Sequence, residues 1–326
     1  MVWLDSQQGN NMLKNHRMHY GVALGLSLLC AAASAGEGGG AHVMPGATAT
    51  LADMPPTTPG TYIKPMYMNY NAGATAAIPT AAGITSDLDV TANTFAVVLV
   101  HSFENKVLGG ANYSMAVALP FTSLDISGNV QLPNGGQVSR GNSVSGLGDL
   151  TILPVMLAWK RDAWTFNATL PIYAPTGSYE LGRLGNPGLN YWTVDPTVGF
   201  VYATKKGFNS MLHIGYAMNS ENNDTDYKSG SLLHVEATLE QIIPVGKGLM
   251  TFGVEAFYFD QLTGDSGAGA TLGDFKGKTS GLGPLIGYIK PMGKQNLVLE
   301  AKWLNEMDTK NRVKGDIIWL KAVYKF

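Results

Sequence analysis

The lengths of the connections between β-type segments alternate along this chain, and no other feature of the sequence restricts the fold more. From residue 62 onward, about twelve runs rich in β-branched and aromatic residues follow one another, and no longer window supports an amphipathic helix. Short connections such as KRD at 160–162 and TKKG at 204–207 alternate with long ones such as 127–147 and 174–191. A meander that crosses a membrane has this arrangement, with short turns on one side and long loops on the other.

Within many runs, apolar and polar residues also alternate. In LLHVEATLEQI, residues 232–242, Val235 and Leu239 occupy one face while Glu236 and Glu240 occupy the other, because successive side chains of a strand point to opposite faces. The predicted runs are 62–71, 90–103, 111–126, 148–159, 163–173, 192–203, 208–219, 232–243, 249–261, 279–289, 296–306 and 316–326. Such strands have one face suited to lipid and one suited to a polar interior.

The last run, within GDIIWLKAVYKF at 315–326, ends on Phe326. A terminal strand frays unless something pairs it, and an unpaired strand edge in hydrocarbon leaves backbone groups unsatisfied. The last run is therefore predicted to pair with the first, near 61–70. The predicted fold class is all-β: a closed transmembrane antiparallel β-barrel of about 12 strands, with short periplasmic turns and long extracellular loops.

Aromatic residues lie near both ends of the predicted strands, which is typical of the two aromatic girdles of an outer-membrane barrel. Those beside the short turns are Phe103, Tyr113, Trp159, Trp164, Tyr202, Phe208, Tyr288 and Phe326. Those beside the long loops are Tyr70, Tyr173, Tyr191, Trp192, Tyr216, Tyr258 and Trp303. We expect both groups to face the lipid interface.

The first sixty residues divide into two segments. Residues 1–35 have a basic start, a short apolar run and an Ala-Ser-Ala site, which predicts a signal peptide whose true start is Met12 or Met18. Residues 36–60 form a Gly/Pro-rich segment without periodicity, which either enters the lumen as a plug or hangs in the periplasm. Residues 61–326 are predicted to form the outer-membrane β-barrel.

The charge content supports a chain whose outer surface is not entirely in water. Charged residues make up 14% of the sequence, against roughly 25% for a typical soluble protein. The net charge is −2 and the chain has no long basic run, so we expect no nucleic-acid partner. We identify no catalytic residue, no cofactor motif and no metal-ligand cluster.

Several charged residues lie on the strand faces opposite the apolar residues. Because a charge on the lipid face is costly near the membrane midplane, we expect these side chains to point into the lumen. They are Asp195, Glu236, Glu240, Glu255, Glu300, Lys302 and Lys321. They either line a selective path for a small solute or form salt-bridged filler, and Glu300 is expected to pair with the two lysines.

Five stretches of the chain resemble one known family. They are GLGDL at 146–150, PTGSYE at 175–180, NPGLNYWTVDPTVGF at 186–200, GYAMNSENNDTDYKSG at 215–230 and SGLGPLIGY at 280–288. Together they are similar to the phenol-degradation meta-pathway family of outer-membrane transporters, and the likeness runs over most of residues 50–326. The resemblance implies a bacterial outer-membrane barrel linked to the uptake of aromatic or other hydrophobic compounds.

The sequence thus predicts an outer-membrane channel for passive uptake of small hydrophobic or aromatic compounds. Two alternatives stay open: a structural or adhesion barrel with a closed lumen, and an outer-membrane hydrolase. The expected partners are outer-membrane lipids, lipopolysaccharide and a small hydrophobic solute. The terminal Phe326 resembles the signal that bacterial barrel-assembly machinery recognises. The identity of the solute and its exit route, axial or through the wall, are left open.

Overall fold

The computed structural model describes residues 41–77, 85–131, 136–181, 183, 185–270, 273–293 and 295–326, so the predicted signal peptide lies outside the described residues. The described residues contain fifteen strand segments and no helix. The segments are β1 (Gly60–Ala77), β2 (Thr85–Val107), β3 (Ala111–Gln131), β4 (Gln137–Leu147), β5 (Leu150–Arg161), β6 (Trp164–Thr169), β7 (Ile172–Ala174), β8 (Thr193–Val194), β9 (Thr197–Ala203), β10 (Phe208–Asn219), β11 (Leu232–Val245), β12 (Gly248–Gln261), β13 (Lys278–Met292), β14 (Gln295–Lys310) and β15 (Lys314–Lys325).

These segments form one closed antiparallel barrel. Segments β4 and β5 both pair with β3, and the pairs β6–β7 and β8–β9 are likewise two parts of one interrupted strand, so the wall has twelve strands. The first and last strands close the barrel, with Tyr62 opposite Lys325 and Gly73 opposite Lys314. Closure pairs both edges of the sheet, as a lipid environment requires.

The outer face of the barrel is apolar. On β15, Ile318 and Leu320 are exposed while Trp319 and Lys321 are buried, as the alternation of that strand predicts. The same outward pattern continues around the wall, with exposed side chains that include Phe95, Leu99, Val117, Leu119, Phe121, Leu239, Phe252, Val254 and Ile286. A closed barrel with this exterior matches the lipid-facing band of an outer-membrane barrel. In the described part of the chain, no helical segment has the length and hydrophobicity to span a bilayer.

The strands are longer than the sequence predicts at one end. Connections 72–89 and 307–315 were expected to be loops, but β1, β2 and β14 continue into them, because cross-strand pairs extend to Ala77 opposite Thr85 and to Lys278 opposite Lys310. Much of 127–147 is likewise strand, in β3 and β4. Pairing, rather than composition, sets where these strands end. We call this the long-loop end and the other the short-turn end.

The predicted aromatic girdle at the long-loop end is only partly correct. Trp192 and Trp303 are about half exposed, at 48% and 49%, but Tyr70 and Tyr191 are buried at 6% and 2%. The Tyr70 hydroxyl donates to Glu306 inside the barrel. These tyrosines face inward because their hydroxyl groups and rings find partners there. At the short-turn end the exposed aromatic residues are Phe103, Trp164, Tyr202, Phe208 and Phe326.

Candidate functional site

Charged side chains cover the inner wall on the β11–β15 side of the barrel. The ammonium group of Lys302 on β14 donates to Glu255 of β12 across 2.7 Å, and both residues are buried. Glu300 lies 3.8 Å from Lys302 and 3.9 Å from Lys321, so the expected pairing with the two lysines is present but looser than the Lys302–Glu255 bond. Buried charges persist where they are paired and hydrogen-bonded in this way.

Residues 41–59 lie inside the barrel against this charged wall. The segment's main charged contact is Asp53, whose carboxylate accepts from Lys321 at 2.7 and 2.8 Å and also from Lys64 of β1. Burial alone would raise the pKa of Asp53, but the ammonium groups of Lys321, Lys64 and Lys302 outweigh that cost and hold it well below its usual range. The carboxylate therefore stays ionised while the segment is docked.

The middle of the segment is held by two further carboxylates. Glu236 of β11 accepts hydrogen bonds from the Gly46 amide at 3.1 Å, from the Thr48 amide at 3.0 Å and from the Thr48 hydroxyl at 2.7 Å. Glu300 accepts from the hydroxyl of Thr50, which is fully buried. The contact with Trp319 is close, since a Cβ on Gly46 would lie 2.6 Å from its indole nitrogen, and Gly46 also has a positive φ of 83°.

The N-terminal end of the segment is held by His42. Its Nε2 lies 2.9 Å from a carboxylate oxygen of Asp149, and its Nδ1 lies 2.7 Å from the hydroxyl of Thr193. The imidazole ring also stacks on Tyr173, with ring centroids 4.8 Å apart. Asp149 accepts from the backbone amides of Gly177 and Leu189 as well, at 2.8 and 2.6 Å. One carboxylate thus joins the segment to the loop after β7.

Three of the sequence stretches that resemble a known family meet at Asp149. The stretch 146–150 carries Asp149, while 175–180 and 186–200 supply the two backbone amides. The glycines allow close approach of the backbones, because a Cβ on Gly177 would lie 2.7 Å from atoms of both Gly148 and Gly188. The interruption between β4 and β5 therefore provides the place where these loops pack.

Two of the predicted charged residues lie apart from this network. Asp195, in the break between β8 and β9, pairs with His234 of β11 across 3.0 Å, and both are buried. A Cβ on Gly215 would lie 2.0 Å from the His234 ring, so the glycine provides the space that the imidazole needs. Glu240 is 2% exposed, and its Oε2 has no hydrogen-bond partner among the described residues.

A cavity of about 1830 Å³ lies on the opposite side of the lumen, and its wall on β2 and β3 is apolar. The inner faces of β2 and β3 carry only small or aliphatic side chains there: Val90, Ala92, Thr94, Ala96, Val98, Val100, Ala116, Ala118, Pro120, Thr122, Leu124 and Ile126. Met66 and Met68 of β1 and Met156 of β5 extend this lining. The cavity reaches both ends of the barrel, since it contacts Tyr227 and Phe275 at the long loops and Ala163 and Lys205 at the short turns.

The seven charged residues that were predicted to point into the lumen fall into two groups, according to whether they line the cavity. Asp195 lines the cavity, whereas the other six are not among its described lining residues. Glu236, Glu300 and Lys321 contact the segment 41–59 directly. The apolar lining of β2 and β3 was not predicted from the sequence. The sequence indicates this lining in FAVVLV at 95–100, because that run is apolar on both faces and so has no polar inner face.

Two of the described histidines lie beside a hydroxyl group: the Nδ1 of His42 lies 2.7 Å from the Thr193 hydroxyl, and the Nδ1 of the exposed His101 lies 3.0 Å from the Thr61 hydroxyl. His234 is oriented by Asp195, but its Nδ1 has no hydrogen-bond partner among the described residues. The hydroxyl of Thr193 beside His42 donates to Asn219 instead. The described residues also contain no group of three or more His, Cys, Asp or Glu side chains that could hold a metal ion.

One solved structure supports the fold, and two others resemble the chain less closely. An outer-membrane channel from Pseudomonas putida F1 matches with a TM-score of 0.64 and 18% identity, covering 87% of this chain and 100% of that one. The β-domain of the Bordetella autotransporter BrkA gives a TM-score of 0.46 at 12% identity, covering 82% and 100%. OpdK from Pseudomonas aeruginosa, solved with vanillate, gives 0.32 at 11%, covering 82% and 98%.

No curated protein matches the chain. A family model does match it, over residues 69–322, which includes nearly all of the barrel and the three stretches that meet at Asp149. The prediction made from those stretches is therefore confirmed. The chain belongs to the family described as "Putative MetA-pathway of phenol degradation".

Proposed function

We propose that this protein is a channel of the bacterial outer membrane that lets small hydrophobic or aromatic compounds enter by passive diffusion. The observation that carries the proposal is the cavity that reaches both ends of the barrel and is apolar along β2 and β3. Pockets for hydrophobic solutes have this composition, with an apolar lining and few polar groups. Membership of the family and the closed fold agree with this function.

In this proposal the charged and apolar sides of the lumen have different roles. The network of Glu236, Glu255, Glu300, Lys302 and Lys321 holds the segment 41–59 in place and fills that half of the barrel. The solute moves along the other half, between the segment and the inner faces of β1, β2, β3 and β5. The segment acts as a plug that narrows the path, and its displacement would widen it.

We also propose an orientation of the barrel in the membrane and its partners there. The short-turn end faces the periplasm, the long-loop end faces outward, and the apolar band contacts outer-membrane lipids and lipopolysaccharide. We propose that Phe326 is recognised by the barrel-assembly machinery. The protein would act without a cofactor, and we do not propose a hydrolase, because the Thr193 hydroxyl beside His42 donates to Asn219 and the His101–Thr61 pair is exposed.

Entry of a hydrophobic fluorescent probe into intact cells tests the function. N-phenyl-1-naphthylamine is excluded by an intact lipopolysaccharide leaflet and fluoresces once it reaches the membrane interior. Cells that produce the protein should take up the probe faster than cells that produce an equal amount of an unrelated outer-membrane barrel. Equal rates, together with a barrel that is silent in planar bilayers, would instead favour a structural or adhesion role.

A further inference from the structure

We propose that the cavity contains a binding site for a neutral hydroxyl group, formed by Asn167 and His213 and occupied in this structure by the thioether of Met54. The inference rests on the proposed function and deepens it. It names the part of a solute that the channel recognises: one hydroxyl on an otherwise apolar molecule.

Asn167 and His213 lie at the same height on the cavity wall. Cross-strand pairing places Asn167 of β6 opposite Gly199 of β9, and Gly199 opposite His213 of β10. Gly199 has no side chain to separate the two, and a Cβ there would lie 2.4 Å from the amide nitrogen and oxygen of Asn167. The amide therefore leans over the glycine toward His213.

Both side chains have unused hydrogen-bonding capacity although they are buried. Asn167 and His213 are 4% and 5% exposed, and both line the cavity. The Asn167 Oδ1 and the His213 Nδ1 have no hydrogen-bond partner among the described residues. Buried polar atoms without partners are rare in native proteins, because each costs free energy. Their coincidence beside a cavity indicates a site that a ligand completes.

Met54 occupies this position, but its sulfur is a poor hydrogen-bond partner for Asn167. Its sulfur accepts from the Asn167 Nδ2 across 3.4 Å, and a thioether is only a weak acceptor. Met54 belongs to the segment 41–59, so it can move without disturbing the wall. A solute hydroxyl would accept from the amide N–H as the sulfur does, and would also donate its own proton to the free amide oxygen or imidazole nitrogen.

The surroundings favour a neutral group over an ionic one. The nearby carboxylates already have partners, since Asp195 contacts His234 and Asp53 pairs with Lys321 and Lys64. The remaining cavity wall on β2 and β3 is apolar and suits a hydrocarbon body. An aromatic ring or short hydrocarbon with a single hydroxyl fits both parts of the cavity.

Binding of p-cresol and p-xylene tests the site, because the two molecules are similar in size and shape and p-xylene has a methyl group where p-cresol has its hydroxyl. Equilibrium dialysis of the radiolabelled compounds against full-length protein, with the same detergent on both sides, removes the contribution of micelle partitioning. The native protein should bind p-cresol about tenfold more tightly than p-xylene, the value of one buried hydrogen bond. Asn167→Leu should reduce this preference to less than about twofold.

Thr122→Val is the matched control, since Thr122 lines the same cavity but its hydroxyl bonds to Thr94 across 2.9 Å. This variant should keep the preference for p-cresol. Met54→Ala provides a test that leaves the barrel wall unchanged. It should tighten p-cresol binding several-fold and p-xylene binding less, because the hydroxyl site becomes vacant.

The inference is overturned if the native protein binds the two compounds equally, or if a folded Asn167→Leu protein keeps the native preference. An equal gain for both compounds in Met54→Ala would also overturn it, since only volume would then have changed. These results leave the proposed function intact if probe uptake by cells is still accelerated. Failure of the uptake experiment, in contrast, removes the proposed function whatever the dialysis shows.

Discussion

Lys321 donates to both carboxylate oxygens of Asp53, at 2.8 and 2.7 Å, and so joins a residue that precedes the first strand to the last strand of the barrel. Lys64, on the first strand, contacts the same carboxylate. Because β1 and β15 pair to close the barrel, Asp53 lies between two ammonium groups at the closing seam. Docking of the inner segment and neutralisation of the seam thus depend on the same side chain.

Loss of this carboxylate should release the segment. In Asp53→Asn, the ammonium groups of Lys64 and Lys321 would repel each other without an anion between them, so the docked state loses most of its charged contact. We expect single-channel conductance in planar bilayers to rise severalfold and proteolysis within residues 41–59 to accelerate. Asp162→Asn is the control, since Asp162 lines the cavity mouth without an ion pair among the described residues. If both variants conduct like the native protein, Asp53 is not an anchor.

Docking should also depend on pH. The pKa of Asp53 in the docked segment is depressed below its ordinary value of 3.8, so its contribution to docking is present in full above that value. The contribution is lost as the pH falls from about 4 toward the lower docked pKa. Conductance of the native channel should therefore increase as the pH falls below about 4. Asp53→Asn should lack this acid response, and a native channel indifferent to pH 3 would contradict the assignment.

A bulky side chain on the apolar wall should block the path. Ala118 of β3 points into the cavity, whereas its neighbour Val117 is 38% exposed on the lipid face. Ala118→Trp should reduce probe uptake by cells roughly tenfold by filling the lumen at that height, while Val117→Trp should not, because it faces lipid. Equal uptake by the two variants would place the solute path elsewhere.

The buried pair Lys302–Glu255 should affect the stability of the barrel more than the passage of solute. Lys302→Met leaves Glu255 without its 2.7 Å partner in the barrel interior, which should lower the free energy of unfolding by about 3 kcal/mol. Denaturant titration in detergent measures this change. Lys160→Met, at an exposed lysine, should have little effect, and the double variant Lys302→Met/Glu255→Leu should recover most of the loss. A stable single variant would show that the pair is dispensable.

The fold was predictable from the sequence because period-two alternation and the ordering of loop lengths are local signals. On β11, for example, Glu236 and Glu240 are buried while Leu239 is 51% exposed, as the alternation in that run predicts. The closing pair of strands followed from the cost of an open edge in lipid. The family assignment followed from short stretches that the structure shows to pack around Asp149.

The internal organisation of the lumen was less predictable. Alternation shows that Lys302 and Lys321 point inward, but not that Lys321 bonds Asp53, because that contact joins residues 268 positions apart. An inward position also does not distinguish a residue that lines the cavity from one that contacts the segment 41–59. Tyr70 and Tyr191 were expected in the lipid interface for a similar reason, since sequence shows an aromatic ring near a strand end but not its partner.

The terminal aromatic residue should affect assembly more than the folded barrel. The backbone amide of Phe326 bonds to the Thr61 carbonyl at 2.9 Å, while its ring is 65% exposed and contacts Tyr324 edge-on. The ring therefore adds little to the seam, whose hydrogen bond uses only the backbone. In cells, Phe326→Ala should lower the amount of folded barrel in the outer membrane several-fold, measured by the heat-dependent shift in gel mobility. Protein refolded in detergent should show no loss.

Phe208→Ala, at another exposed ring of the short-turn end, is the control. Equal yields of the two variants in cells would mean that the assembly machinery does not read Phe326, whereas a loss on refolding in detergent would give the ring a structural role.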